Sequence, residues 1–278
     1  MFSHKKKSEE RFSLALVTGA SSGIGTALCH LLAAKQIPLI ITGRDVERLN
    51  ALAAELLPFV DVIVLAADLA DAEGRGKIVK CMHEYHPNLV INNAGFGLYG
   101  EALTYETNAQ LEIVQVNATA VLELTLEGAR AMISAQQKGV VINVSSAAAK
   151  QVFPCLAVYS ATKTFVNQIT ESLDLEMQKH GIRVLAACPG MVATGFSSRA
   201  AGQLLNPNEK GVMTASFAAE EIWWQIEKRK CIHIFDWKVR LATFFSYFLP
   251  KSFKARILIK SVESRHPPRK IILPPSHP

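Results

Sequence analysis

A tyrosine and a lysine lie four residues apart in the apolar segment AVYSATKTF (157–165). On an α-helix this spacing is about one turn, so the phenol of Tyr159 and the ammonium of Lys163 would lie on the same face. A free phenol, with a pKa of about 10, is a poor base at neutral pH, but a neighbouring cation lowers that pKa. The pair therefore predicts general acid–base chemistry, against the alternative of an amphipathic helix that carries both residues by chance.

Apolar segments alternate with helical patterns along most of the chain. The predicted strands are residues 13–20, 38–43, 60–69, 88–95, 140–146, 182–190 and 231–237. Continuous Val, Ile and Leu runs are typical of strands covered on both faces, and their alternation with helices indicates a parallel, doubly wound sheet. The sequence thus predicts a single-domain α/β fold of the Rossmann type with about seven strands. We place this domain at residues 12–240, between a basic N-terminal tail (1–11) and a basic, apolar C-terminal extension (241–278).

Polar and glycine residues gather at the carboxyl ends of the predicted strands, where ligands of parallel sheets bind. They are Gly19, Gly43, Asp68, Asn93, Ser146 and Pro189. The first lies in TGASSGIG (18–25), which follows the first strand and opens the first helix. Its three glycines would let the backbone turn tightly and approach a pyrophosphate, which N–H groups at a helix N-terminus can bind. The alternative is a glycine-rich turn without a ligand.

The composition excludes several classes of protein. Hydrophobic residues make up 49% and charged residues 19% of the 278 residues, as in globular proteins. The five cysteines are scattered without CxxC pairs or nearby histidines, so we expect no metal site, no disulfide framework and a reducing, cytoplasmic location. No segment approaches the ~18 apolar residues of a membrane-spanning helix. The net charge of +6 reflects the basic C-terminal section, and no nucleic-acid partner is expected.

The order of the motifs resembles that of the short-chain dehydrogenase/reductase family. After TGASSGIG come NNAG (92–95), Asn117, INVSS (142–146), YSATK (159–163) and PGMVAT (189–194), and the resemblance spans roughly residues 12–235. It implies a catalytic tetrad of Asn117, Ser146, Tyr159 and Lys163. In that tetrad Ser146 holds the substrate oxygen, and Asn117 anchors a water that links Lys163 to solvent. Ser145 is the alternative serine, but the family's usual interval to the tyrosine favours Ser146.

The resemblance also implies a nicotinamide dinucleotide cofactor. An acidic residue after the second strand would bind the ribose 2′-OH of NAD, but this sequence has Gly43 followed by Arg44. A guanidinium can bind a 2′-phosphate, so NADP(H) is predicted, with NAD(H) as a weaker alternative. Ser22 stands where many NADP-preferring members have a second basic residue, which predicts a moderate preference. The residues implied at the cofactor are Gly19, Ser21, Ser22, Gly23, Ile24, Gly25, Arg44, Asp68, Leu69, Asn93, Ala94, Gly95, Tyr159, Lys163, Pro189, Gly190, Val192 and Thr194.

Together these features predict an NADPH-dependent oxidoreductase that transfers a hydride between the nicotinamide and a carbonyl or secondary alcohol. The alternatives are a non-catalytic, nucleotide-binding regulatory member of the same fold and a relative of nucleotide-sugar epimerases or dehydratases. The latter usually have a GxxGxxG loop and a longer chain, which argues against them. Apolar residues after the sixth strand indicate a lipophilic substrate or, alternatively, ordinary loop packing. They are Met191, Phe196, Leu204, Leu205, Met213 and Phe217.

Two expectations concern larger partners. The helical segments 108–137 and 155–179 are apolar on more than one face, and family members pair these helices, so a homodimer or homotetramer is predicted. The segment 237–265 interleaves aromatic and basic residues. It would either cap the substrate pocket or make weak peripheral contact with a membrane surface, and we favour the cap.

Overall fold

The computed structural model describes residues 12–150, 152–201, 205–206 and 208–246. The predicted N-terminal tail and residues 247–278 of the C-terminal extension lie outside this range. Within it the strands are β1 Ala15–Thr18, β2 Leu39–Gly43, β3 Val62–Ala66, β4 Leu89–Asn92, β5 Gly139–Val144, β6 Ile182–Cys188, β7 Met191–Val192, β8 Val212–Met213 and β9 Ile232–Ile234.

Long helices connect these strands in the described part of the chain. They are α1 Gly23–Ala34, α2 Val46–Leu56, α3 Ala72–Tyr85, α4 Thr107–Val114, α5 Ala120–Ser134, α6 Ala157–Met177, α7 Gly195–Ala201, α8 Ala215–Lys228 and α9 Trp237–Ser246. A π-helical turn, Gln115–Thr119, joins α4 to α5 without a break. Acidic side chains cap two of the helices: Asp45 accepts a hydrogen bond from the backbone N–H of Arg48, and Asp71 accepts one from Gly74. None of the described helices combines the length and apolar character needed to cross a bilayer.

Seven of the strands form one parallel sheet in the order β3-β2-β1-β4-β5-β6-β9, and the predicted doubly wound α/β fold is confirmed. Alternate strand residues pack against helices on opposite faces. Val17 belongs to a core with Leu28 of α1 and Ile222 of α8, whereas its neighbour Leu16 packs with Ile78 of α3 and Leu124 of α5. Both faces are therefore covered, which explains the uninterrupted apolar runs in the sequence.

The strand order reverses beside β1, because β2 lies on one side of it and β4 on the other. Ala15 is accordingly in register with both Leu39 of β2 and Leu89 of β4. The loops that leave β1 and β4 diverge at this point and leave a crevice at the carboxyl ends of the strands. A separate two-stranded sheet of β7 and β8 borders the crevice, and the sequence did not predict it.

Candidate active site

A cavity of about 1080 Å³ opens at the carboxyl ends of the strands. All the residues predicted for catalysis or cofactor binding line it, with the exceptions of Gly25 and Asn117. The fold therefore brings together side chains that are far apart in the sequence, from the β1–α1 loop to the start of α7. Gly25 and Asn117 lie behind the lining residues, and each of them packs against or hydrogen-bonds to residues that line the cavity.

The β1–α1 loop has the backbone conformation that its glycines permit. Gly19 and Gly23 have φ angles of 65° and 59°, in the left-handed region that side chains disfavour. Gly25 packs so closely on the loop that a Cβ there would overlap the carbonyl oxygen of Gly19. Ser22, the residue before α1, makes no side-chain capping hydrogen bond, so the N-terminal N–H groups of α1 lack a cap from that residue. This backbone cradle suits a phosphate group of a dinucleotide.

Tyr159 and Ser146 both line the cavity, and their side chains lie close enough for Ser146 to stabilise the phenolate of Tyr159. Ser146 follows β5, and its Oγ accepts a hydrogen bond of 3.1 Å from the backbone N–H of Ala148. Burial raises the pKa of Tyr159 to about 12, and the interaction with Ser146 offsets this only in part. The sequence predicted a lowered pKa, which is wrong for this structure because desolvation of the phenolate outweighs the stabilising contacts.

Lys163 lies one turn after Tyr159 on α6 and is buried beneath it. Its Nζ is 5.8 Å from the centre of the Tyr159 ring and donates a hydrogen bond of 2.8 Å to the backbone oxygen of Val144. Burial lowers the pKa of the Lys163 ammonium to about 8. Ser145 supports this arrangement from below, because its Oγ donates to the backbone oxygen of Lys163 at 3.1 Å. The position of Ser145 leaves Ser146 as the serine paired with Tyr159.

Asn117 is completely buried in the π-helical turn between α4 and α5. Its Nδ2 donates a hydrogen bond of 2.8 Å to the backbone oxygen of Phe96, and its Oδ1 accepts one of 3.1 Å from the N–H of the same residue. A Cβ at Gly95 would lie 3.1 Å from this Oδ1 and 3.2 Å from Nζ of Lys163. The side chain thus fixes the loop after β4 beside Lys163. These contacts give the side chain a positioning role, and the water that Asn117 is expected to anchor beside Lys163 stays a prediction.

Arg44 follows β2 at one end of the cavity and is paired in this structure. Its Nη1 lies 3.6 Å from Oδ2 of Asp68 and 3.3 Å from Oε1 of Glu112. Asp68 also accepts a hydrogen bond of 2.9 Å from the N–H of Ala70, which fixes the loop after β3. Asn93 anchors the loop after β4 by donating to the backbone oxygen of Thr18 at 2.9 Å. Sequence reasoning missed Glu112, since an acidic residue on a helix gives no sign of which arginines it will contact in the fold.

The opposite end of the cavity is largely apolar. Of the residues predicted for the substrate loop, four line it and Leu204 lies outside the described residues. Phe217 on α8 is not among the lining residues and is 43% exposed, so the prediction that it faces the substrate pocket is wrong. The ring of Phe196 on α7 packs on Tyr159, with 5.4 Å between ring centres. Further apolar lining that the sequence analysis missed comes from Phe153, Leu156 and Val239.

The chain is similar to known proteins over most of its length. A family model described as short chain dehydrogenase matches residues 13–204. An uncharacterized oxidoreductase of Staphylococcus aureus (strain USA300) is 29% identical over 229 residues, which cover 82% of this chain and 96% of that protein.

Solved structures are similar in fold as well. A short-chain dehydrogenase from Sphingobium yanoikuyae in complex with NADPH has a TM-score of 0.76 at 25% identity, covering 95% of this chain and 99% of that chain. A metagenomic short-chain oxidoreductase in complex with NADP has a TM-score of 0.66 at 27% identity, covering 80% of this chain and 96% of that chain.

Proposed function

This chain belongs to the short-chain dehydrogenase family and is an oxidoreductase, and we propose that its reaction is the NADPH-dependent reduction of a lipophilic ketone or aldehyde, or the reverse oxidation. The observation that carries the proposal is that the side chains of Tyr159 and Ser146 lie together beside the buried ammonium of Lys163, in a cavity large enough for a dinucleotide and a substrate. A nucleotide-binding module without catalysis would need neither the phenol nor the lysine.

The chain's own residues fit the cofactor. The left-handed glycines and the N-terminus of α1 would hold the pyrophosphate, and Arg44 would bind the 2′-phosphate. Asp68 and Leu69 would flank the adenine, Asn93 would meet the adenosine ribose, and Val192 and Thr194 would meet the carboxamide, as in the family. When bound, the nicotinamide supplies the hydride in the reduction direction. The NADPH and NADP in the two solved relatives support the choice of NADP(H) over NAD(H).

In this proposal Tyr159 and Ser146 bind the carbonyl oxygen together, and Tyr159 donates the proton that the developing alkoxide needs. A pKa of about 12 keeps the phenol protonated at neutral pH, as a proton donor must be. The ammonium of Lys163, buried next to it, favours negative charge at this position and so assists the departure of the proton. In the oxidation direction the same phenol, once deprotonated, accepts the proton of the alcohol.

The substrate class follows from the cavity wall around Tyr159. Apolar side chains from four regions of the chain meet there: Phe153, Leu156, Phe196, Leu205, Met213 and Val239. Such a wall would bind an apolar substrate body by the hydrophobic effect, at about 25 cal/mol for each Å² that it covers. Val239 belongs to α9, so the first turn of the C-terminal section borders the pocket. This contact favours the proposal that the section caps the pocket and argues against the alternative that it binds a membrane surface. We also propose a cytoplasmic location, which the five thiols, all among the described residues, support.

The proposal is tested by following NADPH consumption by the full chain with a series of ketones that differ only in apolar bulk, and repeating the series with NADH. We expect kcat/KM to rise with apolar bulk and to be higher with NADPH. Tight NADPH binding without turnover of any ketone, aldehyde or secondary alcohol would support the non-catalytic alternative. A preference for small, charged substrates would overturn the proposed substrate class.

A further inference from the structure

Two arginines from separate elements share one carboxylate oxygen at the Arg44 end of the cavity. Nη1 of Arg44 lies 3.3 Å from Oε1 of Glu112, and Nη2 of Arg199 lies 3.4 Å from the same oxygen. Arg44 follows β2, Glu112 lies on α4 and Arg199 lies on α7. The two arginines line the cavity, and each side chain is nearly half exposed, at 46% and 43%.

The arrangement is loose for an ion-pair cluster. Each arginine reaches Glu112 through one contact longer than the 2.7–2.9 Å that is usual for charge-assisted hydrogen bonds. Exposed pairs of this kind contribute about 0–1 kcal/mol. Glu112 therefore holds the two guanidinium groups only weakly. An anion with more acceptor oxygens would displace Glu112 from them.

Arg199 is also held in place from its other side. Its guanidinium lies 4.0 Å from the centre of the Phe96 ring, which directs it across the cavity toward Arg44. Burial and the positive charge of Arg44 lower the pKa of the Arg199 guanidinium, so the two cations are within electrostatic reach of each other. In this structure Glu112 and Asp68 supply the negative charge beside the two arginines. A phosphate monoester carries about −1.5 to −2 charges with three acceptor oxygens, so it can bind both guanidinium groups at once in place of the weak contacts to Glu112.

We propose that Arg199 is a second arginine for the 2′-phosphate of NADP(H), which it reaches from α7 opposite Arg44. Glu112 holds both side chains until the phosphate takes its place. This inference rests on the proposed function, because it concerns the cofactor of that reaction. It also supplies the second cation that Ser22 does not provide in the β1–α1 loop.

The position of Arg199 gives the phosphate an effect on the substrate pocket. Phe196 lies three residues before Arg199 on α7, so the two side chains lie on neighbouring parts of one helix face. Phe196 packs on the ring of Tyr159. A phosphate that binds Arg199 would thereby fix α7 and hold Phe196 over the carbonyl site. NADPH would then differ from NADH in the KM of the carbonyl substrate as well as in its own affinity.

The direct test measures binding by calorimetry with two probes that carry no nicotinamide. Adenosine 2′,5′-bisphosphate contains the 2′-phosphate, and adenosine 5′-monophosphate lacks it. The variants are Arg199→Ala, Arg199→Lys, Arg44→Ala and Glu112→Gln in the full chain. Arg130→Ala is the matched control, because Arg130 is an exposed arginine on α5 that pairs with Glu127. Thermal melting of each variant verifies that it is folded.

We expect Arg199→Ala to weaken the affinity for the bisphosphate by about 10- to 150-fold, as for the loss of a hydrogen bond to a charged group. The affinity for the monophosphate should change by less than about twofold. Arg199→Lys should recover part of the loss, Glu112→Gln should tighten the bisphosphate, and Arg130→Ala should change neither probe. Equal weakening of both probes by Arg199→Ala would assign Arg199 to the 5′-phosphate side and overturn the proposal. An unchanged bisphosphate affinity, or weaker binding in Glu112→Gln, would also overturn it.

Calorimetry of the same variants with NADP⁺ and NAD⁺ separates this inference from the proposed function. If the wild-type chain binds neither NADP⁺ nor NAD⁺, the proposed function fails. If it prefers NADP⁺ and only Arg44→Ala removes that preference, the proposed function stands and the role of Arg199 is disproved.

Discussion

Nζ of Lys163 donates a hydrogen bond of 2.8 Å to the backbone oxygen of Val144, the last residue of β5. Among the described residues, no carboxylate lies within ion-pair distance of this ammonium. A buried cation with a carbonyl as its partner destabilises the folded state, since the carbonyl replaces only part of the lost hydration. The site therefore holds its lysine at the expense of stability, as functional sites often do.

Replacing Lys163 with methionine, which is similar in length and apolar, should stabilise the protein. The folded pKa of about 8 lies below 10.5, the ordinary value of a lysine, so burial of the charged form costs on the order of 3 kcal/mol at pH values below 8. After the loss of the bond to Val144 we expect Tm to rise by about 2–6 °C at neutral pH. As pH rises from about 8 to 10.5, Lys163 of the folded wild type loses its proton before the unfolded chain does. The wild type then no longer buries a charge, so the difference in Tm between variant and wild type should shrink.

Thermal unfolding of Lys163→Met and wild type at several pH values measures this. Lys77→Met, at an exposed lysine on α3, is the control and should leave Tm nearly unchanged. A fall in Tm at neutral pH, or a gain that grows with pH, would contradict the expected cost of burial.

Tyr159→Phe should abolish turnover and preserve cofactor binding, because only the hydroxyl takes part in proton transfer. Loss of a general acid typically lowers the rate by about 10²- to 10⁴-fold. Steady-state kinetics and NADPH titration measure the two effects, and Tyr85→Phe, at an exposed tyrosine on α3, provides the control. Retention of more than a few per cent of kcat would remove Tyr159 from the proposed chemistry.

Reduction and oxidation should depend on pH in opposite directions. Tyr159, with a pKa of about 12, stays protonated through the neutral range, whereas Lys163 loses its proton near pH 8. We expect kcat/KM for carbonyl reduction to be flat below about pH 8 and to fall above it. Alcohol oxidation should rise with pH, because it needs the deprotonated phenol. Profiles in both directions test this, and a reduction rate that increases between about pH 6 and 8 would be inconsistent with it.

Phe196→Ala should weaken the binding of the carbonyl substrate more than the binding of the cofactor. Aromatic pairs such as that of Phe196 and Tyr159 contribute about 0.5–1.5 kcal/mol, which corresponds to a loss in kcat/KM of roughly 2- to 13-fold. Phe217→Ala serves as the control, since that ring does not line the cavity. If the two variants lose activity equally, the effect belongs to the loop in general and not to the contact with Tyr159.

The predicted homodimer or homotetramer has apolar residues available on α4, α5 and α6. Leu111, Ile133, Phe165 and Leu175 are all exposed, Leu175 at 75%. We expect light scattering to give a dimer or tetramer for the wild type and a smaller species for Leu175→Asp. Leu57→Asp, at a leucine that is 58% exposed after α2, should leave the assembly unchanged. A wild-type monomer at all concentrations would disprove the prediction.

The sheet could be predicted from the sequence because most of its strands are apolar runs, and a glycine, proline or polar residue follows closely after six of them. The two-residue strands β7 and β8 are too short to show such a pattern. The hydrogen-bond acceptor of Lys163 could not be predicted either, because it is a backbone oxygen and every residue has one. Arg44 was singled out from its place after β2, but its link to Arg199 runs through Glu112, which is 68 positions from Arg44 and 87 from Arg199, and only the fold brings the three together.

The reversal of strand order beside β1 divides the chain in a way that bears on its evolution. In the proposed function the loops after β1, β2 and β3 would supply the adenosine end, whereas Ser146, Tyr159 and the apolar lining of the carbonyl pocket lie from β5 onward, with Asn93 at the junction. The short connection between α3 and β4, residues 86–88, separates the two sets. Recombination at that point would join the nucleotide half of one relative to the carbonyl half of another. Because Arg199 lies in the second half, such an exchange would also replace the proposed second arginine of the 2′-phosphate site, so new substrates and a changed cofactor preference would be acquired together.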